Sequence, residues 1–482
     1  MRPREIYLLS PKVLSPETIA VAFAKTSRSP DSFRSIAAGL SDEKSAQFHE
    51  KWVVGYGHAS VAEHAVLHLA FENISRVAIE CVESNRLASY TEKSTRYQQW
   101  SPEDYTIPPE LGEHALKDEF VATCDQLFRA YSDSLAPVRG QIEAHKPRRP
   151  QEKDDAWDRR VRSEYVDACR FLLPAAANAN VGMTANARVL ESAIRKMLSH
   201  ELAEVRQIGL TVRDVARAEV PTLVKYADSS AYLLETSRAL SADPLLREGS
   251  SREEEPPRGT SAEVEDWCRL IHYDRDGENR VLAAVLGRFG GHSVWASLQR
   301  LEGSPGGERE RLASALLGQL GEHDIPLREL EYCNYTFEIL MDQGAYAEFK
   351  RHRMMTQTPQ RLTTRLGYSI PRLISEAGFQ DRYESSMHMA AGTFERLQDL
   401  SPAIAAYVVP NGFRRRVLAQ FNLREAYHFC QLRAARNAHF SLRRIAHCIH
   451  EELTRVHPLL TAFMHIPEQT WRAVERENFS AA

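Results

Sequence analysis

Two clusters in this chain have the residue types and spacing to handle charged ligands. The first is Gly57-His58-Ala59-Ser60-Val61-Ala62-Glu63-His64, followed by Glu92-Lys93-Ser94-Thr95-Arg96-Tyr97. Ser94 and Arg96 can offer a hydroxyl and a forked guanidinium to one phosphate, and Glu92 can accept from an imide or hydroxyl. The same spacing also fits a helix N-cap followed by a surface ion pair. The second cluster, Arg351-His352-Arg353, sets two fixed charges around an imidazole. Such a triplet can grip a pyrophosphate, and it equally suits a solvated basic face. Seven scattered cysteines (81, 124, 169, 268, 333, 430 and 448) include no CxxC pair and offer no zinc site, so they read as buried thiols. Neither a glycine-rich phosphate loop nor an HExxH motif is present.

The elements that must position these clusters come from a long, nearly neutral chain. It has 482 residues, 61 Lys+Arg against 65 Asp+Glu, 43% hydrophobic and 26% charged residues. That balance argues against a dedicated nucleic-acid or polybasic membrane binder. No apolar run approaches the ~18 residues of a membrane helix, and Met1-Arg2-Pro3-Arg4 leads into no signal core, so a cytoplasmic protein is expected. Apolar residues recurring every three or four positions predict helices over 113–135, 186–216, 308–320, 382–398, 422–449 and 460–476. Alternation predicts strands at Glu5–Leu9, Val66–Phe71 and Tyr335–Leu340, giving a mainly helical α+β fold with a small sheet per half.

The composition breaks twice. Residues 243–262 carry Pro, Gly, Ser and an acidic run and read as a linker, while 145–162 is almost all charged and reads as a solvated insertion or helical hairpin. Around these breaks the chain repeats itself. Pro174, Asn186 and Arg188 recur as Pro410, Asn422 and Arg424, each 236 residues later, and FENISRVAIECVESNR (71–86) parallels FEILMDQGAYAEFKRHR (337–353) at an offset of 266–267. The difference of ~30 is about the size of the insertion with its flanks. Two diverged copies of one fold follow: residues 1–242, a linker over 243–275, and residues 276–482.

The ordered pieces GHxSxxEH, SxRY, RxLLP and NAR resemble the flavin-dependent thymidylate synthases, whose signature is RHR…SxRY with a later R-x-x-L-P…N-x-R-x-L stretch. The first half matches at His58, Ser60, Glu63, His64, Glu92, Ser94, Arg96, Tyr97, Arg170, Pro174, Asn186 and Arg188. The second matches at Arg351, His352, Arg353, Pro410, Asn422, Arg424, His428 and Arg433. The departures are complementary. RHR is Ser84-Asn85-Arg86 in the first half, SxRY is Arg361-Leu362-Thr363-Thr364 in the second, and the RxLLP arginine is Ala406 there. The family's later arginine matches Arg433 but has no clean partner near Lys196-Met197.

The resemblance implies two domains, each mainly helical around a small, mostly antiparallel sheet, forming a pseudo-dimer. In the family, sites lie between subunits, one giving the phosphate-side loop and its neighbour the RHR triplet. One composite site is therefore expected here, with Glu92, Ser94, Arg96 and Arg170 facing Arg351, His352, Arg353 and Arg433, and a degenerate reciprocal site. The implied substrate-binding residues are Glu92, Ser94, Arg96, Arg170 and Arg433, with Arg433 also catalytic. The implied cofactor side is His58, Ser60, Arg351, His352, Arg353, Asn186, Arg188, Asn422, Arg424 and His428, with no metal. The implied reaction is methylation of a uridine nucleotide at C5 (dUMP to dTMP type). FAD is the cofactor, and NADPH and methylenetetrahydrofolate are the co-substrates. The alternative is a non-catalytic or repurposed nucleotide- or flavin-binding descendant acting on a different pyrimidine. A homodimer of the two-domain chain would rebuild the family's fourfold arrangement. The family's glutamine three residues before RHR is Glu348 here, a carboxylate that would repel a phosphate.

Overall fold

The computed structural model describes residues 5–27, 29–55, 58–94, 98–245, 267–304, 306–321 and 323–480. Each half builds an antiparallel sheet backed by helices. In the first half β1 (Val66–Ser75), β2 (Ser89–Glu92) and β3 (Asn178–Asn186) lie in the order β1-β3-β2. In the second, β4 (Cys268–Tyr273), β5 (Asn334–Asp342), β6 (Thr356–Pro359) and β7 (Arg414–Asn422) lie in the order β4-β5-β7-β6. The central strands alternate as a half-buried strand should: Ala179, Val181, Met183 and Ala185 are buried in β3, and Arg415, Val417, Ala419 and Phe421 in β7.

The helices repeat in the same order. The first half has α1 (Arg76–Val82), α2 (Lys117–His145), α3 (Asp154–Cys169), α4 (Ala187–Leu198) and α5 (Ala203–Glu219). The second has α6 (Gln343–Phe349), α7 (Gln380–Gln398), α8 (Leu423–Ala434) and α9 (Phe440–Val456). Caps fall at matching places. The side chains of Ser75 and Asp342 accept from the first turns of α1 and α6, and Asn186 and Asn422 do the same for α4 and α8. The charged insertion extends α2 and starts α3. It is a hairpin tip laced by the pairs Arg139–Glu143, Arg139–Asp158, Lys146–Glu164 and Arg160–Glu152, which makes it a solvated surface.

Sheet register refines the repeat. Phe71 stands opposite Val181 as Ile339 stands opposite Val417, so Phe71 matches Ile339 rather than Phe337. A bulge between Phe71 and Ile74, with Asn73 at φ 55, then shifts β1 by one residue, and Ile74 matches Met341. Other expectations change as well. Glu5–Leu9 forms no strand. Arg34 lies over the Tyr7 ring at 4.1 Å and Leu9 packs on Ala22, Ile36 and Ala37, holding the segment on helices with Ile6 and Leu8 exposed. The predicted helix 460–476 is split into Pro458–Thr461 and Trp471–Asn478, because Pro467 supplies no amide donor and clashes with a preceding turn. Strand β4 occupies part of the 243–275 stretch read as linker and pairs with β5; residues 246–266 of that stretch lie outside the described residues.

The halves meet as a pseudo-dimer around one shared core. The matched prolines Pro174 and Pro410 form a bridge with each other. Flanking it, the amides of Ala175 and Ala176 donate to the carbonyls of Val409 and Tyr407 at 2.9 and 2.7 Å, and those of Asn411 and Gly412 donate to Leu173 and Phe171 at 3.0 and 2.9 Å. Helix α2 packs on α7, with Thr123 and Thr393 hydroxyls 2.8 Å apart. Buried residues of both halves, among them Phe120, Phe128, Phe171, Tyr383, Phe394 and Tyr407, belong to one continuous hydrophobic cluster. Gly412 is required at this seam, since a Cβ there would sit 2.5 Å from the Tyr383 hydroxyl and 3.3 Å from the Phe171 carbonyl.

Candidate active site between the halves

Helix α6 ends at the seam, and the turn after it delivers Lys350, Arg351, His352 and Arg353 to the first half. Glu348, on the last turn of α6, is the meeting point of two arginines, one buried (Arg170) and one half-buried (Arg433). Arg170, from the single turn Arg170–Leu172 that follows α3, donates to its Oε1 at 3.1 Å. Arg433, from the last turn of α8, donates to its Oε2 at 3.3 Å. One arginine thus comes from each half, and Asp167 lies 3.8 Å from Arg170 on the far side.

His352 holds Arg433 in place. The Arg433 Nε–H can only donate, so His352 Nε2, 2.9 Å away, must accept. The ring proton is then on Nδ1, which faces the Glu425 carboxylate at 3.2 Å. Burial, reinforced by the Arg433 charge, pushes the His352 pKa below its usual value against the opposing pull of Glu425. The imidazole is therefore neutral at neutral pH and serves as a fixed acceptor. Glu425 stands in the first turn of α8, where its backbone amide donates to the capping Asn422 side chain at 2.9 Å.

A cavity of about 290 Å³ opens beside this triad, lined by Glu83, Tyr90, Thr91 and Glu92 from the first half and Lys350, Arg351 and Arg353 from the second. Glu92 is paired to Arg76 at 2.9 Å and to Arg351 at 3.2 Å, and Lys350 to Glu83 at 2.9 Å. Burial alone would raise the Glu92 pKa, yet Arg76, Lys350 and Arg351 together hold it below the usual range. It is a carboxylate at neutral pH. Arg353 lies over the Tyr90 ring at 5.6 Å. Cationic side chains next to an aromatic face and a fixed carboxylate suit a ligand with phosphate groups and a heteroaromatic ring. Cys81, on α1, has its thiol pushed up to about 11 by burial, so it holds its proton and offers no thiolate.

The residues expected at the site sort into three groups. Glu92, Arg170, Arg351, His352, Arg353 and Arg433 are brought together, and His428 stands beside them with its ring 5.5 Å from that of His352. Ser94 lies two residues after Glu92, beyond the end of β2; Arg96 lies outside the described residues. The others are engaged elsewhere. Asn186 and Asn422 are helix caps, Arg188 pairs with Glu63, and Arg424 binds Glu331 and the Pro326 carbonyl, each at 2.9 Å. His58 stands 6.2 Å from the Trp52 ring, and Ser60 lies in the short helix Ala59–His64. Arg76, Glu83, Tyr90, Lys350 and Glu425 are site residues that the motifs did not flag. The Asn422…Glu425 spacing is that of a capping box and was the readable signal for the last.

Comparison with known proteins agrees with this division into halves. A family model described as thymidylate synthase complementing protein matches residues 9–222 and again 269–459. A UPF0159 protein of Chlamydia muridarum is 30% identical over 437 residues, 88% of this chain and 82% of its own length. Another UPF0159 protein, from Thermoplasma acidophilum, is 25% identical over 456 residues, covering 88% and 89% of the two chains. A flavin-dependent thymidylate synthase of Clostridium tetani is 27% identical over 220 residues, which is 84% of that protein but 45% of this one.

Proposed function

Because the chain belongs to the thymidylate synthase complementing protein family, matched once in each half, we propose that it is a flavin-dependent enzyme. On this reading it transfers one carbon to C5 of a uridine-class substrate (dUMP to dTMP type) at the site between its halves. The observation that carries the reading is the convergence of Arg170 and Arg433, one from each half, beside a cavity walled by Arg351 and Arg353. Methylenetetrahydrofolate is the proposed carbon donor and NADPH the proposed reductant. Two copies of this chain would complete the family-type assembly, and a cytoplasmic location fits described helices that are all too short or too polar to cross a membrane.

The donor set suits FAD. Arg351, Arg353 and Lys350 would hold its phosphates, and Tyr90 offers a ring face. When bound, the flavin supplies the hydride that reduces the transferred carbon to a methyl group. The chain's own residues bind and orient. Arg433, fixed by His352 and Glu348, would polarise the pyrimidine and stabilise negative charge developing on the ring. Such a preorganised donor is worth about 10²–10³ in rate. Glu92, kept ionised by three cations, would accept a hydrogen bond from the pyrimidine imide, while Ser94, Arg96 and Arg170 would set the substrate's orientation. No enzyme nucleophile is needed.

The test is substrate-dependent reoxidation of the reduced flavin protein, followed by flavin absorbance, together with transfer of labelled carbon from the folate to the pyrimidine. Uptake of FAD with no turnover on any uridine-class substrate would assign the chain to the non-catalytic reading. Failure to take up FAD at all would remove the flavin reading.

A further inference from the structure

We infer that Glu348 is an internal anion occupying the oxyanion position between Arg170 and Arg433, so that the site takes a pyrimidine nucleoside with no phosphate at that position. The inference rests on the pyrimidine reading above and sharpens its substrate class. Two guanidinium groups brought from opposite halves onto the two oxygens of one carboxylate form the geometry by which proteins recognise a phosphate or carboxylate ligand. Here that recognition is already spent on a side chain. Glu348 is 6% exposed and sits on α6, whose cap, Asp342, is fully buried. Swinging it out to admit a phosphate would take a carboxylate away from the buried Arg170 and the half-buried Arg433, and keeping it in would set a dianion against a carboxylate a few ångströms away.

The surrounding charge supports the same reading. Arg170 and Arg433 share Glu348, with Asp167 3.8 Å from Arg170 on the far side. Among the described residues these two guanidinium groups are thus balanced by two carboxylates of the chain itself, and an uncharged sugar hydroxyl is the group this corner can accommodate. Arg353, over Tyr90, has no carboxylate within ion-pair distance among the described residues. It lies on the cavity side, where the proposed flavin phosphates would bind. Arg96 lies outside the described residues.

The experiment is calorimetric titration of the FAD-loaded full chain with deoxyuridine and with dUMP, in the wild type and in Glu348→Gln. The wild type should bind deoxyuridine at least as tightly as dUMP. Glu348→Gln should shift the preference toward dUMP over deoxyuridine by tenfold or more. A wild type that prefers dUMP by tenfold overturns the inference without using the variant, so a poorly folding variant does not protect it. An unchanged preference in a folded Glu348→Gln protein overturns it too. If neither pyrimidine binds either protein while FAD does, the pyrimidine reading itself has failed, and the nucleoside inference falls with it.

Discussion

The two pseudo-equivalent corners of this molecule started from one design and now carry opposite contents. At the first, Arg351, His352, Arg353, Arg433, Glu425 and Glu348 from the second half meet Glu92 and Arg170 from the first. At the second, the matching positions are Ser84, Asn85, Arg86, Met197, Val189 and Cys81, opposite Pro359 and Ala406. The charge has also been reversed. In the first corner a buried carboxylate, Glu92, is tied by Arg76 of its own half and Arg351 of the other. In the second a buried guanidinium, Arg415, is tied by Gln343 of its own half at 2.9 Å and Glu80 of the other at 2.8 Å, and lies over the Tyr346 ring at 4.5 Å. The reciprocal corner has thus become a filled structural joint. Fusing two copies frees the halves to diverge separately, so one corner can keep ligand chemistry while the other is given over to holding the pseudo-dimer together.

The largest expected effect tests that division. Arg433→Ala or Arg170→Ala should lower turnover by about 10²–10³ and also destabilise the fold, because each takes a guanidinium partner from the buried Glu348; removing one member of a buried pair costs about 3–5 kcal/mol. Stopped-flow flavin oxidation and denaturant titration separate the two losses. Arg170→Ala and Arg353→Ala in separate chains should not complement on mixing, since both belong to a site formed within one chain. Restored activity would place the site between chains.

Next comes the joint. Arg415→Met should cost about 3 kcal/mol in chemical denaturation by leaving Glu80 without its guanidinium partner. It should leave the flavin reaction of the remaining folded protein within a factor of two or three. A selective loss of activity at unchanged stability would mean that the reciprocal corner still works.

His352 gives a pH-dependent contrast with Asn85. Its folded pKa lies below the unfolded value of about 6.5, so between the two the unfolded chain binds more protons than the folded one. Stability from this group is present above pH ~6.5 and is lost as pH falls toward the folded pKa. Protonation also removes the acceptor that holds Arg433, so activity should fall over the same window. Copying the degenerate half with His352→Asn should flatten this part of the pH profile of Tm. An unchanged slope would assign the acid sensitivity to other buried histidines, such as His447, lowered to about 4 by burial and the nearby Arg443.

The repeat, the helical character and most of the converging charges were legible in the sequence because each rests on local pattern. Asn186 and Asn422 show why pattern alone misassigns roles. Each sits inside a motif with a functional association, yet its side chain is spent on capping the next helix, and the arginine two residues on is paired with a glutamate of the short helix that precedes β1 or β5, Glu63 or Glu331. Arg76, Glu83 and Arg415 were invisible for the opposite reason. Their partners are distant in sequence or lie across the seam, and only the register of the two sheets brings them within reach. The strand expected at Glu5–Leu9 failed because alternation shows that a segment can pair, while Tyr7 and Leu9 found side-chain partners elsewhere.

The smallest effect is the sharpest control on the comparison. Arg351 and Arg361 are almost equally exposed, at 48% and 51%, and each forms an ion pair across the seam. Their partners differ. Arg361 pairs with Glu201, which is 45% exposed, whereas Arg351 pairs with Glu92, which is 2% exposed. An exposed pair is screened on both sides and contributes at most about 1 kcal/mol, so Arg361→Ala should shift stability by less than that and leave flavin and substrate binding unchanged. Arg351→Ala should weaken FAD binding at least tenfold, because it removes a cavity-wall cation and one of the charges that keep Glu92 ionised. Equal effects from the two substitutions in FAD titration would mean that the two corners still share one chemistry, and that their different charges are surface drift.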